Sequence, residues 1–147
     1  MRSLILSLIA LFSAAFATAQ TAQEPKYLLI PPSEINRIQT VIASQVQAFR
    51  QGDIEAAYSY AAPGIQAAFP SPEIFGFMVE QGYGPIFSTY RYQFLDVIGT
   101  PYEPVQVVQF TGTDLTTAMA FYLMEIQPDG QWRIAGVQIQ GLPQQGV

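Results

Sequence analysis

The sequence predicts an α+β domain: three N-terminal helices packed on a bent four-stranded antiparallel sheet. Two patterns lead there. Apolar residues recur at three- and four-residue steps between positions 35 and 79, and β-branched and aromatic runs joined by short turns fill positions 89–140. The two patterns are segregated along the chain, which separates this order from alternating βαβ units. At 147 residues the chain suits one domain. Its 50% hydrophobic and 12% charged content opposes disorder, since an average globular protein is about 25% charged.

The first residues read as a sorting signal. Met1-Arg2 carries one positive charge, Leu4 to Ala17 is apolar and uncharged, and Ala17-Thr18-Ala19 has the small-x-small pattern of a cleavage site. Residues 1–19 are therefore expected to be a signal peptide cleaved after Ala19, with the periplasm or secretion as destination. The apolar run is shorter than the roughly 20 residues of a bilayer-spanning helix, so an uncleaved anchor is the weaker alternative and no stable membrane insertion is expected after cleavage. Residues 20–32, rich in Gln, Pro and Glu around Tyr27-Leu28-Leu29-Ile30, form an extended arm ended by Pro31-Pro32. A loosely packed tether is preferred over a partner-binding strand for this arm. Residues 33–141 are the domain, and 142–147 a flexible tail.

The first helix opens at Ser33 as N-cap, with Glu34 favourable in the first turn. Ile35, Ile38, Ile42, Val46 and Phe49 make its stripe, and Gly52 stops it. Asp53 caps a second helix with Ile54, Ala57, Tyr58 and Ala61 on its buried face, ended by Pro63-Gly64. Ser71-Pro72-Glu73 reads as cap, first-turn proline and dipole-matched acid of a third helix. Ile74, Phe77 and Met78 form its main stripe, widened by Phe75 and Val79, and Gly82 closes it.

Strands are expected over 89–98, where Tyr90, Tyr92 and Phe94 alternate, and over 105–111, 116–127 and 131–140. Gly99-Thr100-Pro101, Gly112-Thr113-Asp114 and Pro128-Asp129-Gly130 supply the turns. In the last strand the pairs Trp132/Ile134 and Val137/Ile139 are out of phase. A bulge at Ala135-Gly136 restores all four to one side, and glycine suits such a conformation. Bulges bend sheets, and a bent sheet wrapped over helices makes a cone with an apolar interior. The third strand is apolar on both faces, with Ala118, Ala120, Tyr122, Met124 and Ile126 on one and Met119, Phe121 and Leu123 on the other. A sheet covered on one side normally alternates apolar and polar residues, so a homodimer through the second face is expected. The alternative is that the arm covers that face within one chain.

Three groups of residues carry a family resemblance. They are Ala48-Phe49, Asp53, Ala57-Tyr58 and Pro63-Gly64-Ile65-Gln66; Phe75-Gly76, Met78-Val79 and Gly82-Tyr83; and Trp132-Arg133-Ile134 with Gly136-Val137-Gln138. Across roughly Ile35 to Gln140 the chain resembles an uncharacterised family of exported bacterial proteins, a domain of unknown function. That family is similar in architecture to the nuclear-transport-factor-2-like (cystatin-like) superfold. The resemblance implies a cone-shaped fold but no activity, because the superfold hosts isomerases, dehydratases, hydrolases, scaffolds and dimerisation modules. It carries no catalytic residues onto this chain.

Composition narrows the chemistry. The absence of cysteine removes thiol nucleophiles, disulfides and thiolate metal sites, and the absence of histidine removes imidazole bases and His-based metal sites. A net charge of -5 and pI ≈ 4.4 oppose nucleic-acid binding. Glu73 and Glu80 are about two helical turns apart, too far to clasp one ion, and Gly82-Tyr83-Gly84-Pro85 lacks the context of a phosphate loop. No cofactor is expected. Two function classes remain. The preferred one is an exported binding or protein-interaction module without catalysis, holding a small apolar molecule in the cone. The alternative is a small lyase, isomerase or hydrolase using carboxylate and phenol groups, for which Tyr58, Tyr92, Tyr122 and Asp96 could supply the parts. The candidate pocket residues are Tyr58, Met78, Tyr83, Tyr122, Trp132 and Gln138.

Overall fold

The computed structural model describes residues 29–141; the expected signal peptide, most of the arm and the tail lie outside them. The architecture is α+β, with an open antiparallel sheet in the order β1-β2-β3-β4. Among the described residues five helices precede it rather than three. They are α1 (Pro32–Gln51), α2 (Ile54–Ser59), α3 (Pro63–Ala68), α4 (Pro72–Gly82) and α5 (Gly84–Phe87). The strands are β1 (Thr89–Gly99), β2 (Pro104–Gly112), β3 (Thr117–Ile126) and β4 (Trp132–Gly141).

Prolines explain where the helix starts depart from expectation. Pro32, not Ser33, opens α1: Pro31 is held extended by the proline after it, and Pro32 needs no N–H bond in the first turn. Ser33 lies inside the helix, and the Pro31 carbonyl accepts from the Glu34 and Ile35 N–H groups. Pro63 likewise starts α3 instead of ending α2, which stops at Ser59. The predicted caps at Asp53 and Ser71 form, with Asp53 Oδ1 accepting from the Ala56 N–H at 2.9 Å and Ser71 Oγ from the Ile74 N–H at 3.2 Å. Gly52 closes α1 at φ 70°, a left-handed conformation that favours glycine.

Ile38, Ile42, Val46 and Phe49 of α1 pack against the inner sheet face, where Val108, Phe110, Ala120, Tyr122, Met124 and Ile134 are buried. The N-terminus of α1 is clamped to the start of β4. Trp132 donates its Nε1–H to Glu34 Oε2 at 2.8 Å, Glu34 pairs with Arg37 at 3.0 Å, and Arg37 donates to the Gly130 carbonyl. The Trp132 bond, helped by Arg37, holds the Glu34 carboxyl below the usual glutamate range.

The buried face of α4 differs from the expected stripe. Phe75, Gly76 and Val79 are buried, while Ile74 and Phe77 are 50% and 66% exposed. Five apolar side chains surround this helix, so hydrophobicity alone cannot choose the face. Gly76 chooses it: a Cβ there would lie 2.7 Å from Ile54 Cγ2, so α4 approaches α2 along its glycine. Gly82 also differs from expectation, lying within α4 without a positive φ.

Three irregularities shape the sheet. At the start of β1 the register slips across Tyr90, which turns outward at 63% exposure while Tyr92 and Phe94 pack against the core. A second slip between Phe94 and Val97 exposes carbonyls that Gln106 satisfies from a fully buried position, its Nε2 donating to Leu95 O at 2.8 Å. In β4, Leu123 pairs with Gly136 and Met124 with Ile134, so Ala135 is the extra residue of a bulge. Trp132, Ile134, Val137 and Ile139 consequently all pack against the core. Gly136 itself is not in the left-handed region, and a Cβ there would meet only Leu123 Cβ at 3.9 Å, so the bulge does not demand glycine.

Two measurements follow from this packing. Gly76→Val should lower stability by roughly 1–3 kcal/mol through overpacking, whereas Gly82→Ala, with open space around it, should raise it by about 0.5–1 kcal/mol. Equal denaturation midpoints for the two variants would contradict the close approach of α4 to α2. The Glu34 clamp makes a pH-dependent contribution: with its folded pKa depressed, that contribution is complete above the ordinary glutamate pKa and is lost as pH falls through the folded one. The drop in melting temperature between pH 6 and pH 3 should therefore be smaller in Glu34→Gln than in the parent. It should not vanish, because Glu73 and Asp114 are depressed in the same sense, by backbone and Ser71 bonds and by Thr116 respectively.

Candidate functional site

The free edge of β4 determines where the site lies. An edge strand leaves backbone groups without strand partners, and here neighbouring segments take them up. Ala61 bridges in parallel to Ile134, with the Ala62 N–H donating to Ile134 O at 2.8 Å and the Ile134 N–H to Tyr60 O at 2.9 Å. Past the bulge, Tyr83 Oη donates to the Val137 carbonyl at 3.0 Å. Between these two attachments the helices stand off the strand, and a cavity of about 230 Å3 remains.

Its walls come from six elements. Gln45 and Phe49 project from α1, Ile65 from α3, Phe75, Met78 and Val79 from α4, and Ile86 from α5, with Phe69 and Tyr83 from the connections. Tyr122 of β3 and Ile134, Gly136 and Val137 of β4 close it from the sheet side. None of these side chains is charged. Gln45 is buried and donates its Nε2–H to the Ala57 carbonyl at 3.1 Å. Tyr122 is fully buried, and its hydroxyl has no hydrogen-bonding partner among the described residues. Burial, reinforced by Tyr92, pushes the Tyr122 phenol well above its ordinary range, so it stays protonated and remains a donor.

The structure brings Met78, Tyr83 and Tyr122 of the expected set together at this cavity. The other three lie elsewhere. Tyr58 donates its hydroxyl to the Phe69 carbonyl at 2.6 Å and packs its ring, tilted by 52°, against Phe75 with centroids 5.4 Å apart, so it ties α2 to the cavity wall from outside. Trp132 faces inward but sits beneath the α1 N-terminus, bonded to Glu34. Gln138 is exposed opposite Phe121 on the outer face, because the same phase change that turns Val137 and Ile139 inward turns it outward. The parts considered for catalysis do not converge: Asp96 is exposed on β1, and among the described residues no carboxylate lines the cavity.

Several wall residues escaped sequence reasoning. Gln45 lies three residues after Ile42 and four before Phe49, on the α1 stripe, and its position was the available signal. Ile65 and Ile86 sit on α3 and α5, helices too short for a periodic pattern to reveal. A wider depression of about 460 Å3 runs along α4, but its Glu55, Glu73, Phe77 and Glu80 are all exposed. It offers like charges in water rather than a desolvated site.

The fold and the site together define a small α+β domain with a partly open, apolar cavity lined by uncharged side chains against an antiparallel sheet. The chain belongs to the family described as Domain of unknown function (DUF4864), whose model matches residues 33–147. No curated protein matches the sequence.

Proposed function

We propose that this protein is an exported small-molecule binding module without catalysis, in which helices and bent sheet form a cone similar to the nuclear-transport-factor-2-like superfold. The observation that carries this reading is the cavity of about 230 Å3 with an apolar, uncharged wall and few polar groups. An apolar cavity of about 150 Å3 accommodates benzene, so this one suits a molecule of about ten non-hydrogen atoms. Binding there needs only shape and one or two polar contacts. Acid-base turnover would require a desolvated carboxylate beside a phenol, and the cavity wall supplies the phenol alone.

The small-x-small site ending at Ala19 supports export, and the mature chain then begins at Gln20. Protein recovered from the periplasm serves both points. Its intact mass should correspond to a chain starting at Gln20, and apolar probes of about ten heavy atoms should raise its melting temperature. A probe at 100 times its Kd stabilises by about 2.7 kcal/mol. A full-length, membrane-pelleting product would refute export; a panel of such probes that leaves the melting temperature unchanged at millimolar concentration would refute binding.

The outer face of the sheet supports self-association as the protein's second contact. Val105 lies opposite Leu123, Val107 opposite Phe121 and Gln109 opposite Met119 on that face. Its β2 row is uncharged, and its β3 row carries one charge, Glu125, at the end where it lies opposite Arg133 of β4. The centre of that face is uncharged and the opposite charges of Glu125 and Arg133 offset each other at its end, so a second copy meets no net repulsion and a twofold dimer is its expected occupant. Light scattering at micromolar concentration should return a dimer mass, reduced to a monomer by Phe121→Glu; a monomeric parent protein would defeat this proposal.

A further inference from the structure

Within the cavity just proposed as a binding site, the polar groups are not equivalent. One N–H of the Gln45 amide is committed to the Ala57 carbonyl, and the Tyr83 hydroxyl donates to the Val137 carbonyl. Tyr122 is buried in the same wall, and its hydroxyl meets no acceptor among the described residues. A buried donor left unpaired is costly, and a ligand acceptor recovers that cost on binding. We propose that the cavity selects neutral molecules carrying a carbonyl-type acceptor, held by a hydrogen bond from Tyr122. The inference rests on the binding reading and adds the chemical class of the ligand.

Charge decides between neutral and ionised acceptors. A carboxylate would also accept from Tyr122, but among the described residues no cationic side chain lines the wall to compensate its lost hydration. A hydrocarbon of equal shape fills the space and leaves the phenol as it was. A ketone or aldehyde does both things the cavity asks for. It brings apolar surface for Phe49, Phe75 and Met78, and an acceptor without a charge.

Acetophenone, isopropylbenzene and benzoate, each with about nine non-hydrogen atoms, match the scale of the cavity and separate these cases. Titrations of the mature protein should show acetophenone binding about tenfold more weakly to Tyr122→Phe than to the parent. Isopropylbenzene should bind both within about twofold, and benzoate at neutral pH should bind the parent at least about tenfold more weakly than acetophenone does. The unliganded variant should melt no lower than the parent, since the substitution removes an unpaired group. An infrared measurement on the parent alone gives a second readout: the carbonyl band of bound acetophenone should lie below its position in an alkane. Isopropylbenzene binding with acetophenone indifferent to Tyr122→Phe, or an unshifted carbonyl band, would overturn the inference while leaving the binding site intact. Benzoate binding as tightly as acetophenone would overturn the preference for neutral ligands. Failure of both neutral probes to bind the parent would overturn the binding reading itself, and the inference with it.

Discussion

The bulge at Ala135 is the constraint from which the rest of the structure follows. Without it, the inward phase of Trp132 and Ile134 would carry Val137 and Ile139 to the outer face. One extra residue keeps all four on the core side and bends the strand where the cavity opens. It also fixes what β4 offers at its free edge. Ala61 and Ala62 attach before the bulge and Tyr83 after it, so the helical layer is anchored at two points with a gap between them. The cavity occupies that gap.

The helices fit this frame through close contacts and a few polar pins. Gly76 lets α4 lie against Ile54, which commits Phe75 and Val79 to the interior and leaves Phe77 in solvent. Tyr58 holds the end of α3 through the Phe69 carbonyl, and the Glu34–Trp132 bond fixes the other end of α1 on the sheet. Aromatic rings join the helices, with Phe49 of α1 6.1 Å from Phe75 of α4 and 5.7 Å from Phe87 of α5. Buried polar groups follow the rule that desolvation demands a partner: Gln106 donates to a carbonyl at the β1 irregularity and Gln45 to a carbonyl of α2. Tyr122 breaks that rule at the cavity wall. Gln127 Nε2, just after β3, is also buried without a partner among the described residues but lies away from the cavity; the departure at Tyr122 falls on the cavity wall, where a binding function is expected to show.

Much of the fold was legible in the residues because its signals are local. The α1 stripe, the Asp53 and Ser71 caps, the Gly52 stop and the four strands depend on spacing and on hydrogen bonds within a few residues. The bulge was legible for the same reason, as a break in a period-two pattern inside one strand. Tyr83, Met78 and Tyr122 could be assigned to the interior on apolar periodicity and their positions at element ends.

What tertiary structure alone decided are the matters that depend on which neighbour arrives. Which side of α4 is buried turned on the shape of Ile54 against Gly76, since hydrophobicity ran nearly all the way round the helix. Pro63 could stop one helix or start the next, and attachment of Ala61 to β4 separates the two. Sequence periodicity points Tyr58 and Trp132 into the pocket along their apolar stripes, and Gln138 is expected there as an amide donor. Their positions were set instead by a carbonyl at Phe69, a carboxylate at Glu34 and the register opposite Phe121. Sequence periodicity records which face of an element is apolar. It does not record the partner across the gap, and a cavity is defined by residues from six elements that meet only when the chain has folded.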